Sequence, residues 1–182
     1  LPLGRQLAPG AALLSPRGKV LEDGVARRYF RRHAVGDLDI PDLLARTDEL
    51  AAFLARATAT YDLDGDRIVA LGFSNGANIA VSLLLRRPGL LRGAALLRPL
   101  LPYEPDQPVD LTGTDVLVDA GEHDPYAPLD QTSRLAELLR QAGAAVTLHL
   151  EPGAGHALTQ RDLAQLAAWT ARLLGGEGPA AA

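Results

Sequence analysis

Short apolar segments alternate with helical patterns along almost the whole chain, and this alternation constrains the fold more than any other feature. Uninterrupted apolar runs suit strands that are buried on both faces, which occur mainly in parallel sheets covered by helices. We therefore predict an α/β fold with a mostly parallel sheet and helices on both faces. The predicted strands comprise residues 11–15, 68–71, 93–97, 116–120 and 146–150.

Three predicted helices begin near recognisable capping residues. Asp39 can cap a helix that has Pro41 in its first turn, and Thr159 can open the final helix. Asp130 precedes a third helix, for which Gly143 is placed as the C-terminal stop. Leucines recur at helical spacing in all three, which indicates that each helix buries one face.

The length of 182 residues suits one domain, predicted over residues 1–174, followed by a flexible Gly/Ala/Pro-rich tail at 175–182. The net charge of −4 gives no reason to expect nucleic acid as a partner. No apolar run approaches the ~18 residues of a membrane-spanning helix, so membrane insertion is not expected. The absence of cysteine excludes a disulfide, a thiolate zinc site and a cysteine nucleophile, and it fits a cytoplasmic location.

The residues from Gly72 to Gly76 form a Gly-x-Ser-x-Gly motif between a predicted strand and a helical pattern at residues 77–86. A strand that turns sharply into a helix holds the Ser74 hydroxyl above the sheet in a strained conformation, as a nucleophile requires. The amide N–H of Asn75, at the helix N-terminus, is then aimed at a developing oxyanion. A phosphate-binding loop is the alternative, but such a loop normally has more glycines or a following lysine.

The loop after the predicted strand 116–120 is acidic and is the place for a carboxylate that orients a histidine. Asp124, just before Pro125, is best placed to reach across the carboxyl end of the sheet. Glu122 is the second candidate for this acid. His123 is expected to lie at the surface or the rim of the site.

The loop after the last predicted strand carries His156, in the order nucleophile, acid, histidine that this arrangement requires. Gly155 gives the backbone freedom to bring the imidazole over Ser74, where it would act as the general base. His149 lies within a strand and His33 in an early basic loop, so neither fits this geometry.

A metal site is a weaker interpretation of the same loops. Glu122, His123, Asp124 and His156 could cluster, but they lack the helical or hairpin spacing of common ligand pairs. Acid–base catalysis uses these residues without a metal, so no metal and no cofactor is predicted.

With these loops in place, the chain resembles the phospholipase/carboxylesterase family of α/β-hydrolases, which is related to acyl-protein thioesterases and dienelactone hydrolase. The resemblance runs to about residue 174, and its motifs are Gly-Phe-Ser-Asn-Gly-Ala at 72–77, Gly-Glu-His-Asp-Pro at 121–125 and Gly-Ala-Gly-His at 153–156. Leu-Ser-Pro-Arg-Gly at 14–18 and Tyr-Phe-Arg-Arg at 29–32 also look like segments of this family. The resemblance implies a Ser-His-Asp hydrolase.

The chain departs from this family in two respects. Dienelactone hydrolase uses a cysteine where this chain has Ser74. Family members also begin with a strand and a His-Gly-type loop that supplies a second oxyanion donor. The resemblance therefore implies a strand and loop of roughly 20–35 residues upstream of Leu1, filling the sheet position between residues 11–15 and 68–71.

Substrate contacts are predicted near Tyr29, Phe30, Arg31 and Arg32, with Arg27 and Arg28 beside them, because this segment could receive an anionic or aromatic group. A solvated basic loop with inward-facing aromatics is the alternative. The short loop between the strands 93–97 and 116–120 leaves no space for a lid, so the site should be open.

The predicted function is a serine hydrolase that cleaves small soluble carboxylic esters through an acyl-enzyme. One alternative is a thioesterase or lysophospholipase with the same triad. Another is a hydrolase-fold ligand-binding protein with negligible turnover. The expected partner is a small-molecule ester or thioester, and a homodimer is possible.

Overall fold

The computed structural model describes residues 1–175, and the predicted tail lies outside the described residues from 176 onward. The five helices are α1 (Pro2–Leu7), α2 (Ile40–Thr60), α3 (Asn75–Arg86), α4 (Leu129–Gln141) and α5 (Gln160–Leu174). The eight strands are β1 (Val20–Glu22), β2 (Ala26–Arg28), β3 (Arg32–Ala34), β4 (Asp37–Leu38), β5 (Val69–Phe73), β6 (Gly93–Leu97), β7 (Asp115–Gly121) and β8 (Ala145–Glu151).

The central sheet consists of β5, β6, β7 and β8, which lie side by side in that order and are all parallel. Four of the five predicted strands are therefore confirmed, with ends that differ by at most two residues. Because the strands are parallel, the loops after β5, β7 and β8 all emerge at the same edge of the sheet.

Helices cover both faces of this sheet, as predicted. On β6, Leu96 faces α3 and α4, whereas Leu97 faces α5, where it packs with Leu166 and Trp169. Alternating side chains of a strand point to opposite faces, so an apolar run such as β6 is buried on both sides. The fold is an α/β-hydrolase-type sheet between two helical layers.

The helix ends follow the capping pattern with one correction. The side chain of Asp39 accepts from the Asp42 N–H at the start of α2, and Thr159 forms a capping box with Asp162 at the start of α5. Asp130 does not precede α4 but lies in its first turn, because the N-cap position is Pro128. Gly143 has a φ of +93°, which glycine adopts readily after a helix.

The prediction of a strand at residues 11–15 is wrong. This segment has no ladder partner, because a cavity of about 1310 Å³ lies between it and β5. Among residues 1–175, β5 pairs with β6 alone, so its other edge faces this cavity.

Two short antiparallel hairpins, β1–β2 and β3–β4, precede α2 and were not predicted. The first has Asp23 and Gly24 at its turn, both with positive φ. An Asp-Gly pair is a strong hairpin signal, and it could have revealed this element. The second hairpin turns at Gly36, whose φ is +80°.

Among residues 1–175, none of the helices combines the length and the hydropathy that a membrane-spanning segment requires.

Candidate active site

Ser74 stands at the apex of the turn between β5 and α3. Its φ of +53° is in the left-handed region, which is strained for a residue with a side chain. The Ser74 N–H donates to the carbonyl oxygen of Leu97, 2.8 Å away, which fixes the turn to β6. A Cβ on Gly72 would collide with the backbone of Gly76, so only glycine fits at 72. This strained turn therefore places the Ser74 hydroxyl at the carboxyl edge of the sheet.

The imidazole of His156 joins Ser74 to Asp124 by two short hydrogen bonds. Its Nε2 lies 2.9 Å from Ser74 Oγ, and its Nδ1 lies 2.8 Å from Asp124 Oδ2. A carboxylate can only accept, so Nδ1 carries the proton and Nε2 is free to accept from the serine hydroxyl. The rings of Phe73 and Tyr126 flank the imidazole, with centroids 5.1 and 5.0 Å away.

Asp124 is buried and held by the backbone on its other side. Its Oδ1 accepts from the N–H groups of Tyr126 and Ala127, at 2.8 and 3.1 Å. These bonds fix the carboxylate, so Oδ2 stays directed at His156. This loop geometry brings Asp124, His156 and Ser74 into one hydrogen-bonded chain, which is the arrangement of a nucleophilic triad.

Asn75 begins α3, where the first amide N–H groups have no partner within the helix. Its side-chain Oδ1 accepts from the Tyr29 N–H at 2.7 Å. The backbone N–H of Asn75 thus lies directly after Ser74 at the N-terminus of α3, where the free amide groups of a helix favour negative charge.

The other residues considered in the loops lie apart from this chain of bonds. Glu122 is exposed, and its carboxylate accepts from the Gly153 N–H at 2.8 Å rather than from His156. The His123 side chain is 71% exposed, which places it at the surface. His33 is exposed on β3, and His149 lies on β8.

Comparisons with known proteins place the chain among hydrolases. The model of the dienelactone hydrolase family matches residues 25–172. The chain belongs to the dienelactone hydrolase family. It is 40% identical over 169 residues to MhqD of Bacillus subtilis (strain 168), whose name describes a hydrolase, and this match covers 93% of the chain and 84% of MhqD.

Two solved structures of carboxylesterases are similar to this family member. The Bacillus cereus carboxylesterase has a TM-score of 0.90 and 42% identity, over 95% of this chain and 81% of that one. The Mesorhizobium loti carboxylesterase has a TM-score of 0.84 and 34% identity, over 97% and 81%. The resemblance drawn from the sequence is thus confirmed, and the protein is a carboxylesterase-like hydrolase.

A fully buried arginine, which no sequence motif indicated, lies against the loop that carries His156. The Arg98 guanidinium donates to the carbonyl oxygens of Gly155 and Ala157, at 3.1 and 3.4 Å, on either side of His156. It is also bonded to Asp119 and, at 2.7 Å, to Asp162. A charged residue directly after the apolar strand β6, at the carboxyl edge of the sheet, is the signal that could have found it.

Arg98 is paired with a crowded group of carboxylates. Burial, with support from the nearby Asp162 and Glu151, raises the pKa of Asp119 to about 7, although Arg98 opposes this. Burial also acts to raise the pKa of Asp162, but hydrogen bonds from Thr159 and Arg98 hold it below its usual value. The Asp119 carboxyl therefore titrates close to neutral pH.

Asp119, His149 and Asp162 have ligand atoms within 4.8 Å of one another, and they are the one such group among the described residues. Arg98 already bonds to both of these aspartates, so its guanidinium supplies the positive charge next to them. The four loop residues considered as metal ligands in the sequence do not form such a group among the described residues.

A pocket of about 330 Å³ opens over Ser74 and His156. Of the four predicted substrate-binding residues, Phe30 and Arg32 line it. Tyr29 and Arg31 do not line it. The Tyr29 ring lies next to Gly76, and Arg31 is exposed and paired with Asp39 at the start of α2. Arg28, named beside the four, also lines the pocket.

Proposed function

We propose that this protein is a serine carboxylesterase that cleaves small carboxylic esters through a covalent acyl-enzyme on Ser74. The observation that carries the proposal is the continuous chain of hydrogen bonds from Ser74 through His156 to Asp124. Such a chain activates a hydroxyl whose free pKa is too high for it to react as an alkoxide at neutral pH.

In the first half-reaction, Ser74 Oγ attacks the ester carbonyl carbon while its proton passes to His156 Nε2. The carbonyl oxygen becomes an oxyanion that accepts from the Asn75 N–H at the start of α3. Asp124 stabilises the imidazolium that forms. The tetrahedral intermediate then expels the alcohol, which takes the proton from Nε2, and leaves an ester on Ser74.

In the second half-reaction, His156 accepts a proton from water as the water oxygen attacks the acyl carbon. The new intermediate expels Ser74 Oγ, which recovers its proton from Nε2, and the carboxylic acid leaves. The pocket volume of about 330 Å³ is at the lower end of ligand sites, which favours small acyl and alcohol groups over the long chain of a lysophospholipid. A thioester of similar size would follow the same steps.

Labelling with a fluorophosphonate probe tests the proposal, because the probe reacts only with an activated serine. We expect mass spectrometry to find the label on Ser74, and Ser74→Ala to abolish it. Ser82→Ala is the matched control, since Ser82 is buried and its hydroxyl bonds to Thr47 and Tyr103. Equal labelling of Ser74→Ala would contradict the proposal. Absence of any label would favour a ligand-binding protein that retains the triad geometry.

A series of p-nitrophenyl esters from acetate to decanoate tests the size limit. We expect the highest kcat/KM for acetate or butyrate and a steep fall for longer acyl chains. A maximum at decanoate would instead favour a lysophospholipase, and faster cleavage of acetyl thioesters would favour a thioesterase.

A further inference from the structure

Two strands and a helix place polar side chains together on the face of the sheet that α5 covers. Asp119 on β7 and His149 on β8 are direct register partners, so their side chains point to the same face. Glu151 follows two residues after His149 on that face, and Asp162 lies in the first turn of α5. The preceding residue of β7 on this face, Leu117, packs into the apolar core, so the polar group interrupts an otherwise hydrophobic layer.

Each of these four side chains has a buried polar atom without a hydrogen-bond partner among the described residues. The atoms are Asp119 Oδ2, His149 Nε2, Glu151 Oε2 and Asp162 Oδ1. The side chains of Asp119 and Asp162 are fully buried, and that of Glu151 is 7% exposed. A buried polar atom without a partner is costly, and an ion or a water molecule commonly satisfies it.

The four atoms converge on one another. His149 Nε2 is 3.3 Å from Glu151 Oε2, 3.6 Å from Asp162 Oδ1 and 3.9 Å from Asp119 Oδ2. The ligand atoms of Asp119, His149 and Asp162 all lie within 4.8 Å of one another. Bonds of about 2.0–2.2 Å to a tetrahedral zinc ion separate its ligand atoms by about 3.3–3.6 Å, so small side-chain movements would bring these three onto one ion.

Arg98 does not satisfy these atoms. It bonds to Asp119 Oδ1 and Asp162 Oδ2, which leaves the second oxygen of each carboxylate without a partner. With Glu151, the ionised carboxylates carry three negative charges, and Arg98 offsets one of them. Arg161 approaches Glu151 to 3.5 Å, but its side chain is 71% exposed and its charge is screened by solvent. A divalent cation would balance the remaining charge.

We propose that Asp119, His149 and Asp162 form a site for one divalent transition-metal ion, with zinc as the expected ion. Imidazole nitrogen and carboxylate oxygen are zinc ligands, and a water molecule beside Glu151 would complete a set of four. None of these residues lines the pocket over Ser74, so the role of the ion is structural. It would fix the two aspartates that hold Arg98, whose bonds orient them as outer partners orient metal ligands.

Calorimetry with zinc chloride tests the site. The protein is first treated with EDTA and dialysed into metal-free buffer, the state to which the raised pKa of Asp119 applies. We expect one zinc ion per chain. His149→Gln should weaken binding at least about 100-fold, since loss of even an outer partner of a ligand costs about 10–100-fold. This variant leaves both carboxylate partners of the buried Arg98 in place.

Two matched controls separate this site from the other histidines. His123→Gln should bind zinc like the unmodified protein, because His123 lies 3.9 Å from the Glu122 carboxylate but is 71% exposed. Asp124→Asn should also leave zinc binding unchanged, although it removes the carboxylate beside His156. Absence of zinc binding, or binding that persists in His149→Gln, would overturn the proposal. Either result would leave the proposed esterase function intact.

Thermal unfolding and cobalt give readouts that do not depend on activity. Zinc at about 100 times its Kd should raise the Tm of the unmodified protein by about 5–10 °C and leave that of His149→Gln unchanged. Co²⁺ absorbs visible light much more strongly with four ligands than as the hydrated ion. If His149→Gln does not fold, the cobalt spectrum of the unmodified protein decides. A strong visible band supports the site, and the spectrum of the hydrated ion overturns it.

Discussion

The guanidinium of Arg98 donates from Nε to the carbonyl oxygen of Gly155, 3.1 Å away, and so holds the residue directly before His156. A weaker bond reaches the Ala157 carbonyl oxygen on the other side, at 3.4 Å. Asp119 and Asp162 hold the guanidinium in turn. The position of His156 over Ser74 thus depends on a buried arginine that is not part of the hydrogen-bonded chain itself.

Replacing Arg98 by lysine should lower kcat by about 10–100-fold with little change in KM, because a shift of the imidazole by even about 1 Å is costly. Lysine keeps the charge but cannot donate in the planar fork that reaches both carbonyl groups and both aspartates. Arg92→Lys is the control, since Arg92 also donates to a backbone carbonyl, that of Gly113, but is exposed. A kcat within twofold of the unmodified enzyme would show that Arg98 does not position His156.

Asp124→Asn should lower kcat about 10⁴-fold, whereas Glu122→Gln should change it only a few-fold. An amide in place of Asp124 favours the wrong tautomer of His156 and cannot stabilise its cation. Glu122 bonds instead to the Gly153 N–H, away from the imidazole. Steady-state kinetics on p-nitrophenyl acetate measure kcat for both variants. An equal loss of kcat in the two would contradict the assignment of Asp124 as the acid.

The sequence could predict that Ser74, Asp124 and His156 come together, because all three follow strands of one parallel sheet. The carboxyl ends of such strands meet at a single edge, so chain order and strand positions are enough. Arg98 could not be assigned in this way. Its partners Asp119 and Asp162 lie on β7 and α5, and only tertiary packing shows that one guanidinium satisfies both.

The same limit applies to the segment before α2. Residues 11–15 are apolar enough for a strand, but a strand also needs a neighbouring edge to pair with, and the cavity beside β5 separates the two. The side chains of Tyr29 and Arg31 are directed by Pro16 and Asp39, respectively, which no local pattern reveals.

Gly72→Ala should destabilise the protein strongly, while Gly76→Ala should be nearly neutral, although both glycines belong to the same motif. A Cβ at 72 would meet the backbone around Gly76, which cannot move without displacing Ser74. A Cβ at 76 would find only the Tyr29 ring at 3.7 Å, an ordinary contact distance. We expect a loss of about 1–3 kcal/mol or more at 72 from urea unfolding. Similar effects at both positions would contradict this account of the turn.

Asp119 should make the folded protein less stable as pH rises from about 4 to about 7. Its pKa is raised to about 7 from a value of 3.8, so over this window the folded protein binds a proton that the unfolded chain has lost. The free energy of unfolding then falls with pH by at most about 1.4 kcal/mol per unit. Urea unfolding at pH 5, 6 and 7 should show this contribution, and Asp119→Asn should remove it. Asp115→Asn is the control, because the Asp115 pKa is lowered and its contribution changes only in more acidic solution. If Asp119→Asn and the unmodified protein have the same slope, Asp119 is not the group that binds this proton.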